Sequence, residues 1–476
     1  MVLLQTGAAG ALVDAAVLAT AGFFLAINSA TAALLLRALP ELWRQWDPAD
    51  EPELEPVLRS EALPTVSIVV TGSAEIGWTG ASVRELLALR YPRYEVVLVL
   101  DGAASGDLEQ LIVDFALYHV PPAVLVNVPT GPVRGYYRSR RHGKLFVIDK
   151  AQAGRADDLN AALNASRFPY LLVIDVCTRL RPDAVLRLMR EFLVGHRIAA
   201  VRATARVRNG RWAIEEIRPG SSPRPRRVAS IQMVETLRDR VYAPLGWNAL
   251  GGQAVARDGV VLHRRDYLLE LGGYQSGHVD AERDLDVRLR ELLHAGGLSD
   301  AIPLIPDNVA WADARRRAGL HQEHRGQLEA LRSHGTALFA TRRGIARVLP
   351  AVHLFASVVL APLMELLAYA LLAILLLDRG LGDRSATVLL LAMNGYALML
   401  SWWAVALERA AVGPRDGLRL SMSAVAEQLG YRQWVAWSRC RALWSELFGT
   451  TIRRARQGRA DQAADAVVGA DRAPLG

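Results

Sequence analysis

Three long apolar runs limit what this chain can fold into. The first, residues 1–36, carries one charged side chain, Asp14, and the second, residues 349–377, has Glu365 as its only Asp, Glu, Lys or Arg. The third, residues 385–407, has none of these four residue types. Each run is long enough for a helix to cross a hydrocarbon core of about 30 Å. The sequence therefore predicts a membrane protein with a large polar region between the first two runs.

The runs divide the chain into four predicted segments. These are a transmembrane anchor at 1–48, a cytosolic domain at 49–345, an interfacial helix with two transmembrane helices at 346–410, and a basic amphipathic cytosolic tail at 411–476, disordered at its end. A cleaved signal peptide is the alternative for the first run. That run has no basic segment ahead of it and is too long for a signal peptide, which favours the anchor.

The distribution of arginine predicts how these segments are oriented. Arginines follow the first run, at Arg37 and Arg44, and the third run, from Arg409 onward. Because Lys and Arg are retained on the cytosolic side, the middle domain and tail are predicted to be cytosolic at the plasma membrane, and the amino terminus outside. The net charge of +8 comes mostly from arginines, and these are not interleaved with aromatic residues as in a groove that binds single-stranded nucleic acid. Membrane lipids are therefore the predicted partners, and nucleic acid is not.

Short apolar segments alternate with helical patterns in the middle region. They lie at residues 65–70, 94–100, 123–128 and 170–175, and each is predicted to be a buried strand. Strands that alternate with helices are typical of a parallel sheet with crossover helices. The sequence therefore predicts an α/β, Rossmann-like domain that binds a nucleotide.

Two acids lie where such a sheet binds ligands. Asp101 and Asp175 each end a predicted strand, and open α/β sheets bind ligands at the carboxyl ends of their strands. An acid in this position often shares a divalent cation with a second acid two residues later, but here that residue is Cys177. A thiol is a poor ligand for a hard cation, so metal binding is predicted to be weak.

Several strings together resemble membrane-anchored family-2 glycosyltransferases, whose members include cellulose and hyaluronan synthases. In chain order they are "ELLALRYPRYEVVLVLDG", "GRADDLNAAL", "VID", "SIQMVETLRDRVYAPLGW", "RRDYLLELGGY", "PDNVAW" and "GYRQWVAWSRCRALW". The resemblance runs nearly from end to end and implies a nucleotide-sugar-binding domain of the GT-A type. It further implies inverting transfer of a sugar from a nucleotide diphosphate sugar to a polysaccharide or lipid-linked acceptor at the cytosolic membrane face.

The resemblance also implies residues for the donor site. Asp101 and Asp157 match acids that the family places around the nucleoside, and Arg155 stands where a lysine is usual. Asp175 matches the first acid of the DxD motif, which holds Mg²⁺ or Mn²⁺ against the departing diphosphate. The alternatives are a helix cap for Asp157 and a simple turn acid for Asp175.

The family's catalytic base is less well matched. An acidic pair normally opens the helix after "GGY", and here that pair aligns with Ala281 and Glu282. Glu282 is the predicted general base on the acceptor hydroxyl, and Asp280 is the second candidate. Alternatively, Asp280, Glu282 and Asp284 only favour the positive end of a helix, with Asp280 as its N-cap.

A third family pattern, QxxRW, is incomplete. Gln322 and Arg325 are present, and the resemblance implies that they contact the diphosphate and the acceptor, but the Trp is missing. His321 and His324 lie in the same segment. Two histidines three residues apart without a further ligand are typical of surface residues, so no metal site is predicted there.

These departures leave two functions open. One is a working transferase whose acids have shifted. The other is a pseudoenzyme that keeps the fold and serves as the partner subunit of an active polysaccharide synthase. A nucleotide-gated membrane sensor is a weaker third hypothesis, because the sequence shows no additional signalling domain.

Overall fold

The structure is a computed structural model. It describes residues 7–46, 63–73, 80–102, 105–121, 124–195, 197–207, 226–251, 260–298, 302–312, 317–339, 345–380, 382–408 and 414–446. The predicted disordered end of the tail lies outside these ranges. Three described helical stretches are long and apolar enough to cross a membrane: Gly10–Trp43, Val348–Asp378 and Arg384–Glu408. They coincide with the three apolar runs of the sequence.

The helices are numbered here in chain order. They are α1 (Gly7–Trp46), α2 (Gly80–Leu87), α3 (Ser105–Phe115), α4 (Arg155–Ala165), α5 (Ala184–Val194), α6 (Arg226–Thr236), α7 (Ala243–Ala249), α8 (Arg265–Glu270), α9 (Ala281–Ala295), α10 (Arg317–Ser333), α11 (Gly335–Leu338), α12 (Ile345–Phe355), α13 (Ala361–Asp378), α14 (Arg384–Leu390), α15 (Tyr396–Glu408), α16 (Pro414–Ala426) and α17 (432–446). π-Helical turns join α6 to α7, α12 to α13, α14 to α15 and α16 to α17, at Leu237–Tyr242, Ala356–Leu360, Leu391–Gly395 and Glu427–Tyr431.

The strands form one mixed sheet. They are β1 (Val66–Ser73), β2 (Tyr94–Asp101), β3 (Leu117–Val120), β4 (Val133–Ser139), β5 (Leu145–Lys150), β6 (Tyr170–Asp175), β7 (Arg179–Leu180), β8 (Ala200–Val207), β9 (Val260–Arg264) and β10 (Leu304–Ala312). Their order is β3-β4-β5-β2-β1-β6-β9-β8-β10-β7.

The centre of the sheet is parallel, which confirms the α/β prediction. Strands β5, β2, β1 and β6 pair in parallel, whereas β4 with β5 and β9 with β6 and β8 are antiparallel. The connection from β4 to β5 is too short for a crossover helix, so only antiparallel pairing is open to it. The antiparallel strands lie outside the four central ones, and the predicted parallel arrangement applies to the centre of the sheet.

The predicted strand at residues 123–128 is wrong. Its described part, residues 124–128, is irregular, and β5 occupies the place beside β2. Leu125 and Val126 are 77% and 71% exposed, and only Val128 is buried. Two apolar segments compete for one place in the sheet here, and their composition alone does not decide between them.

Helices cover both faces of the sheet and position the site. One core contains α2, α3 and α5 against alternate residues of β2, such as Val96 and Leu98. The other contains α4, α8 and α9 against Val97 and Val99. The amino ends of α4 and α9 therefore lie on the same face of the sheet.

The domain is attached to the inner ends of the first and third apolar helices. Arg206 of β8 forms an ion pair with Glu408 at 2.9 Å, and the Tyr242 hydroxyl donates to the same carboxylate at 2.6 Å. A Cβ on Gly246 would lie 2.2 Å from the carbonyl oxygen of Leu34 in α1. Only glycine permits this approach of α7 to α1, which explains the Gly in "YAPLGW".

Candidate functional site

The strand ends bring the predicted donor-site residues to one edge of the sheet. In the parallel register, Thr71 lies beside Asp175, and Asp101 lies beside both Ser73 and Lys150. α4 begins at the same edge and carries Arg155, Asp157 and Asp158 in its first turn. Residues from four strands and from α4 therefore converge where open α/β sheets bind ligands.

Arg155 is the centre of the first half of the site. Its guanidinium forms an ion pair with Asp175, donates to the Thr71 hydroxyl at 3.0 Å, and binds Glu282 through two hydrogen bonds of 3.1 and 3.0 Å. Burial disfavours the charged guanidinium, but the carboxylates of Asp175 and Glu282 outweigh this effect and raise the pKa of Arg155. The site therefore carries a permanent positive charge held between two acids.

The residues here do not fit a firmly held divalent cation. Among the described residues, no three His, Cys, Asp or Glu side chains converge into a set that would hold a metal ion. Asp175 already lies against a guanidinium, and Cys177 packs against the hydrophobic core. Mg²⁺ and Mn²⁺ need several oxygen ligands, and the guanidinium would repel them. The positive charge at this edge comes from Arg155 instead.

Asp157 and Lys150 form the second half of the site. Lys150 is completely buried at the end of β5 and forms an ion pair with Asp157. Asp157 also accepts a hydrogen bond of 2.7 Å from the Gly131 amide. Burial raises the pKa of Asp157, but the hydrogen bonds from Lys150 and Gly131 outweigh it and lower the pKa overall. Its side chain thus binds neighbouring segments, and the alternative of a simple helix cap does not describe it.

Asp158 is a buried acid beside Asp101. It is 3% exposed, and its Oδ1 atom has no hydrogen-bond partner. Burial, together with the negative charge of Asp101, raises its pKa to about 7. Asp101 itself accepts a hydrogen bond of 3.0 Å from the Ala153 amide. Two carboxylates this close repel each other, so Asp158 keeps its proton to a higher pH than an ordinary aspartic acid does.

Asp158→Asn should flatten the pH dependence of stability. The folded-state pKa of Asp158 exceeds its unfolded value, so its stabilisation is fully present below about pH 4 and is lost as pH rises toward 7, at up to about 1.4 kcal/mol per pH unit. The apparent melting temperature of the detergent-purified wild type should therefore fall from about pH 5 to about pH 7.5 more than that of the variant. Glu109→Gln, on an exposed residue of α3, is the control. Equal pH dependence in wild type and Asp158→Asn would contradict the assignment.

The "GGY" turn holds α4 to the start of α9. Gly272 and Gly273 have φ values of +73° and +78°, which side chains other than glycine adopt at a cost. Asn160 of α4 accepts from the Tyr274 amide at 2.8 Å and donates to the Tyr274 carbonyl at 2.9 Å. A Cβ on Gly273 would lie 2.5 Å from the Asn160 amide oxygen. These contacts set the distance between Arg155 and Glu282.

The three acids at the start of α9 have different surroundings. Asp280 is the N-cap, as the sequence predicts, because its side chain accepts from the Arg283 amide at 3.2 Å. Asp284 is buried and binds Arg288 at 2.8 Å and His334 at 2.9 Å. Glu282 binds Arg155. Glu282 therefore reaches the strand-end Asp175 through Arg155, which binds both carboxylates.

Gln322 and Arg325 lie on α10, which packs against the start of α9: a Cβ on Gly326 would lie 2.9 Å from the Cβ of Asp280. Gln322 is exposed, and Arg325 forms an ion pair of 3.4 Å with Glu446 of α17. His324 is buried, with burial lowering its pKa to about 3. The surface prediction for His324 is therefore wrong, because α17 covers this side of α10.

The sequence interpretation missed three residues of the site: Thr71, Lys150 and Asp158. A lysine that ends an apolar run, as in "KLFVIDK", was the available signal for Lys150. Nothing in the local pattern marks Thr71, because its role depends on the register between β1 and β6.

Comparison with known proteins finds a polysaccharide synthase that is similar to part of this chain. No family model matches the chain. The chain is 23% identical over 124 residues to a poly-beta-1,6-N-acetyl-D-glucosamine synthase of Staphylococcus epidermidis, covering 26% of this chain and 24% of that protein. The match thus spans about a quarter of the relative's length. This weak homology confirms the resemblance to glycosyltransferases that the motifs indicated.

Two solved structures are weakly similar to the chain over most of its length. The mannosyltransferase PcManGT from Pyrobaculum calidifontis, in complex with GDP-Man and Mn2+, is 15% identical with a TM-score of 0.45, covering 90% of this chain and 99% of that one. Residues 1–349 of S. aureus TarS are 12% identical with a TM-score of 0.37, covering 78% and 91%. Likenesses this weak determine neither the substrate nor the metal of this chain.

Proposed function

We propose that this membrane protein transfers a sugar from a nucleotide diphosphate sugar to a polysaccharide or lipid-linked acceptor at the cytosolic membrane face. The observation that carries the proposal is the position of Arg155 between Asp175 and Glu282 at the carboxyl edge of the parallel strands. A planar guanidinium suits a diphosphate, since it donates several hydrogen bonds in one plane.

Each part of the site has a role in this proposal. Arg155 binds the diphosphate and stabilises the charge that it gains as the sugar departs, and Asp101 and Asp157 bind the nucleoside. Glu282 removes the proton from the acceptor hydroxyl, whose oxygen attacks the anomeric carbon and inverts it. When the diphosphate binds the guanidinium, Glu282 gives up its two hydrogen bonds from Arg155, and its oxygens become available to the acceptor hydroxyl.

The second candidate function is that of an inactive partner subunit of a polysaccharide synthase. The doubly hydrogen-bonded pair between Arg155 and Glu282, at 3.1 and 3.0 Å, favours it, because both oxygens of this carboxylate already accept a hydrogen bond from the guanidinium. Cys177 favours it too, since the second acid of the metal motif is missing.

Release of nucleotide diphosphate tests the proposed function. Purified protein in detergent is mixed with a panel of nucleotide sugars and with lipid extract as a source of acceptor. Release from one donor above the rate of a boiled control supports transfer. No release from any donor, combined with loss of cellular glycan when the chain is deleted, supports the partner subunit.

We expect the orientation that the arginines predict. Single cysteines at Gly7 and Gly382 should react with a membrane-impermeant maleimide added to intact cells, because both positions lie at the ends of apolar helices remote from the domain. A cysteine at Gly469 should react only after the cells are opened. Labelling at Gly469 from outside would contradict the orientation.

A further inference from the structure

Residues 414–446 do not extend away from the membrane helices. Trp402 of α15 donates to the Ser421 carbonyl at 3.1 Å, and Ser401 contacts Glu427 at 3.3 Å. Farther along, Arg432 donates to the Met393 carbonyl at 3.4 Å. As the chain advances from α16 to α17, its contacts on the third apolar helix thus move away from the domain.

The depth that these contacts reach along the third apolar helix follows from helix geometry. Glu408 marks the domain end of α15, because Arg206 of the sheet binds it. Met393 lies fifteen positions before Glu408, which is about 22 Å at 1.5 Å per residue. The whole helix, Arg384–Glu408, has 25 residues and is about 37 Å long, so it extends beyond a hydrocarbon core of about 30 Å. Met393 lies about 4.5 Å past the midpoint of this helix, so Arg432 contacts it near the middle of the core.

The chain then returns to the domain. Gly430, with a φ of +91°, and the non-helical Leu429 break the helix at the turn. After the turn, Arg439 pairs with Glu235 of α6 at 3.2 Å, and Glu446 pairs with Arg325 of α10 at 3.4 Å. α16 and α17 are therefore the two arms of a hairpin, with its tip at residues 429–431.

The outer face of the hairpin is apolar. Its large exposed side chains, 62–76% exposed, are Leu418, Met422, Leu429, Trp437 and Trp444. The spacings of four and seven residues place each set on one face of its arm. Exposure of apolar surface to water is unfavourable by about 25 cal/mol per Å², whereas contact with lipid chains does not carry this cost. Exposed Arg441 lies between the two tryptophans, as expected at the level of anionic headgroups.

The inner face is polar. Glu365, the lone acid of the second apolar run, is 6% exposed and forms an ion pair with Arg432. Gln428 accepts a hydrogen bond of 3.1 Å from Arg432. Charged groups at membrane depth are costly unless they are paired inside the protein. The ion pair therefore holds the tip of the hairpin against the second and third apolar helices.

We propose that residues 414–446 form a re-entrant hairpin that inserts into the leaflet on the domain side, with its outer face in contact with lipid chains. This replaces the prediction of a cytosolic tail for these residues. It does not depend on the transfer reaction, since it rests only on contacts among the helices. It also ties α10, which carries Arg325, to the membrane surface.

Fluorescence quenching in vesicles tests the hairpin. Cys177 and Cys440 are replaced with Ser, and a single cysteine carrying an environment-sensitive fluorophore is placed at Leu429, at Leu418 or at Gly469. Vesicles of zwitterionic and anionic phospholipid carry a nitroxide either near the headgroup or deep in the chain. We expect Leu429 to be quenched severalfold more by the deep nitroxide, Leu418 to be quenched more by the shallow one, and Gly469 by neither.

Two outcomes would overturn the proposal. If Leu429 reacts with a water-soluble maleimide as fast as Gly469 and neither nitroxide quenches it, the hairpin lies in water. If Leu429 is both unquenched and unreactive, protein covers the outer face, which indicates self-association. Leu418 is the second position in case labelling at the tip disrupts folding, and the same outcomes apply there.

Discussion

Replacing Glu282 with Gln is expected to lower turnover by about 10² to 10⁴, the usual contribution of a general base, without weakening the binding of nucleotide diphosphate. Gln keeps the shape of the side chain and removes its basicity. It also removes a negative partner of Arg155, now held at 3.0 Å, so the guanidinium becomes more available. Binding of nucleotide diphosphate should therefore be unchanged or tighter, as calorimetry would measure.

Glu291→Gln is the matched control, since Glu291 lies on α9 nine positions from Glu282, about 13 Å along the helix. Full turnover by Glu282→Gln would show that another group is the base. Asp280→Asn is then the next test, because Asn can still accept the N-cap hydrogen bond of α9 while it removes the basicity of the side chain and its ion pair with Arg283. If wild type has no turnover and Glu282→Gln leaves cellular glycan unchanged, whereas deletion of the chain abolishes it, the partner-subunit function is supported.

Replacing Arg155 with Met is expected to weaken nucleotide diphosphate binding by about 10-fold to 10²-fold, because a charge-assisted hydrogen bond contributes about 1.5–3 kcal/mol. Met keeps much of the side-chain length and removes the charge. In wild type, a chelator should change the affinity by less than about tenfold, or roughly 1.4 kcal/mol, because Arg155 supplies the positive charge. Calorimetry with and without chelator measures both effects.

Arg264→Met is the control for the charge change, because Arg264 pairs with exposed Asp266 and lies beside Tyr170, at the opposite end of β6 from Asp175. A tenfold or greater loss of wild-type affinity on adding chelator would show that the site depends on a metal ion. Cys177→Asp, which restores the second acid, should raise activity and metal dependence together.

Much of the fold follows from local patterns. The apolar runs and the strands at β1, β2 and β6 are evident in the sequence, because long apolar helices and buried strands have compositions that little else shares. The predictions that were wrong, the strand at 123–128 and the surface position of His324, both depend on how distant segments pack. Residues 123–128 have the composition of a strand, yet β5 takes that place, and competition between segments is a tertiary property.

The sequence by itself determined three features of the site: the strand-end positions of Asp101 and Asp175 and the N-cap at Asp280. Each of them depends only on its own strand or helix. The meeting of Arg155 with Asp175 and Glu282 was decided only by the tertiary structure, because these residues are up to 127 positions apart. The same is true of Glu365 and Arg432, which are 67 positions apart. An acid in an apolar run signals that it needs a partner, but only the packing of the helices determines which arginine that partner is.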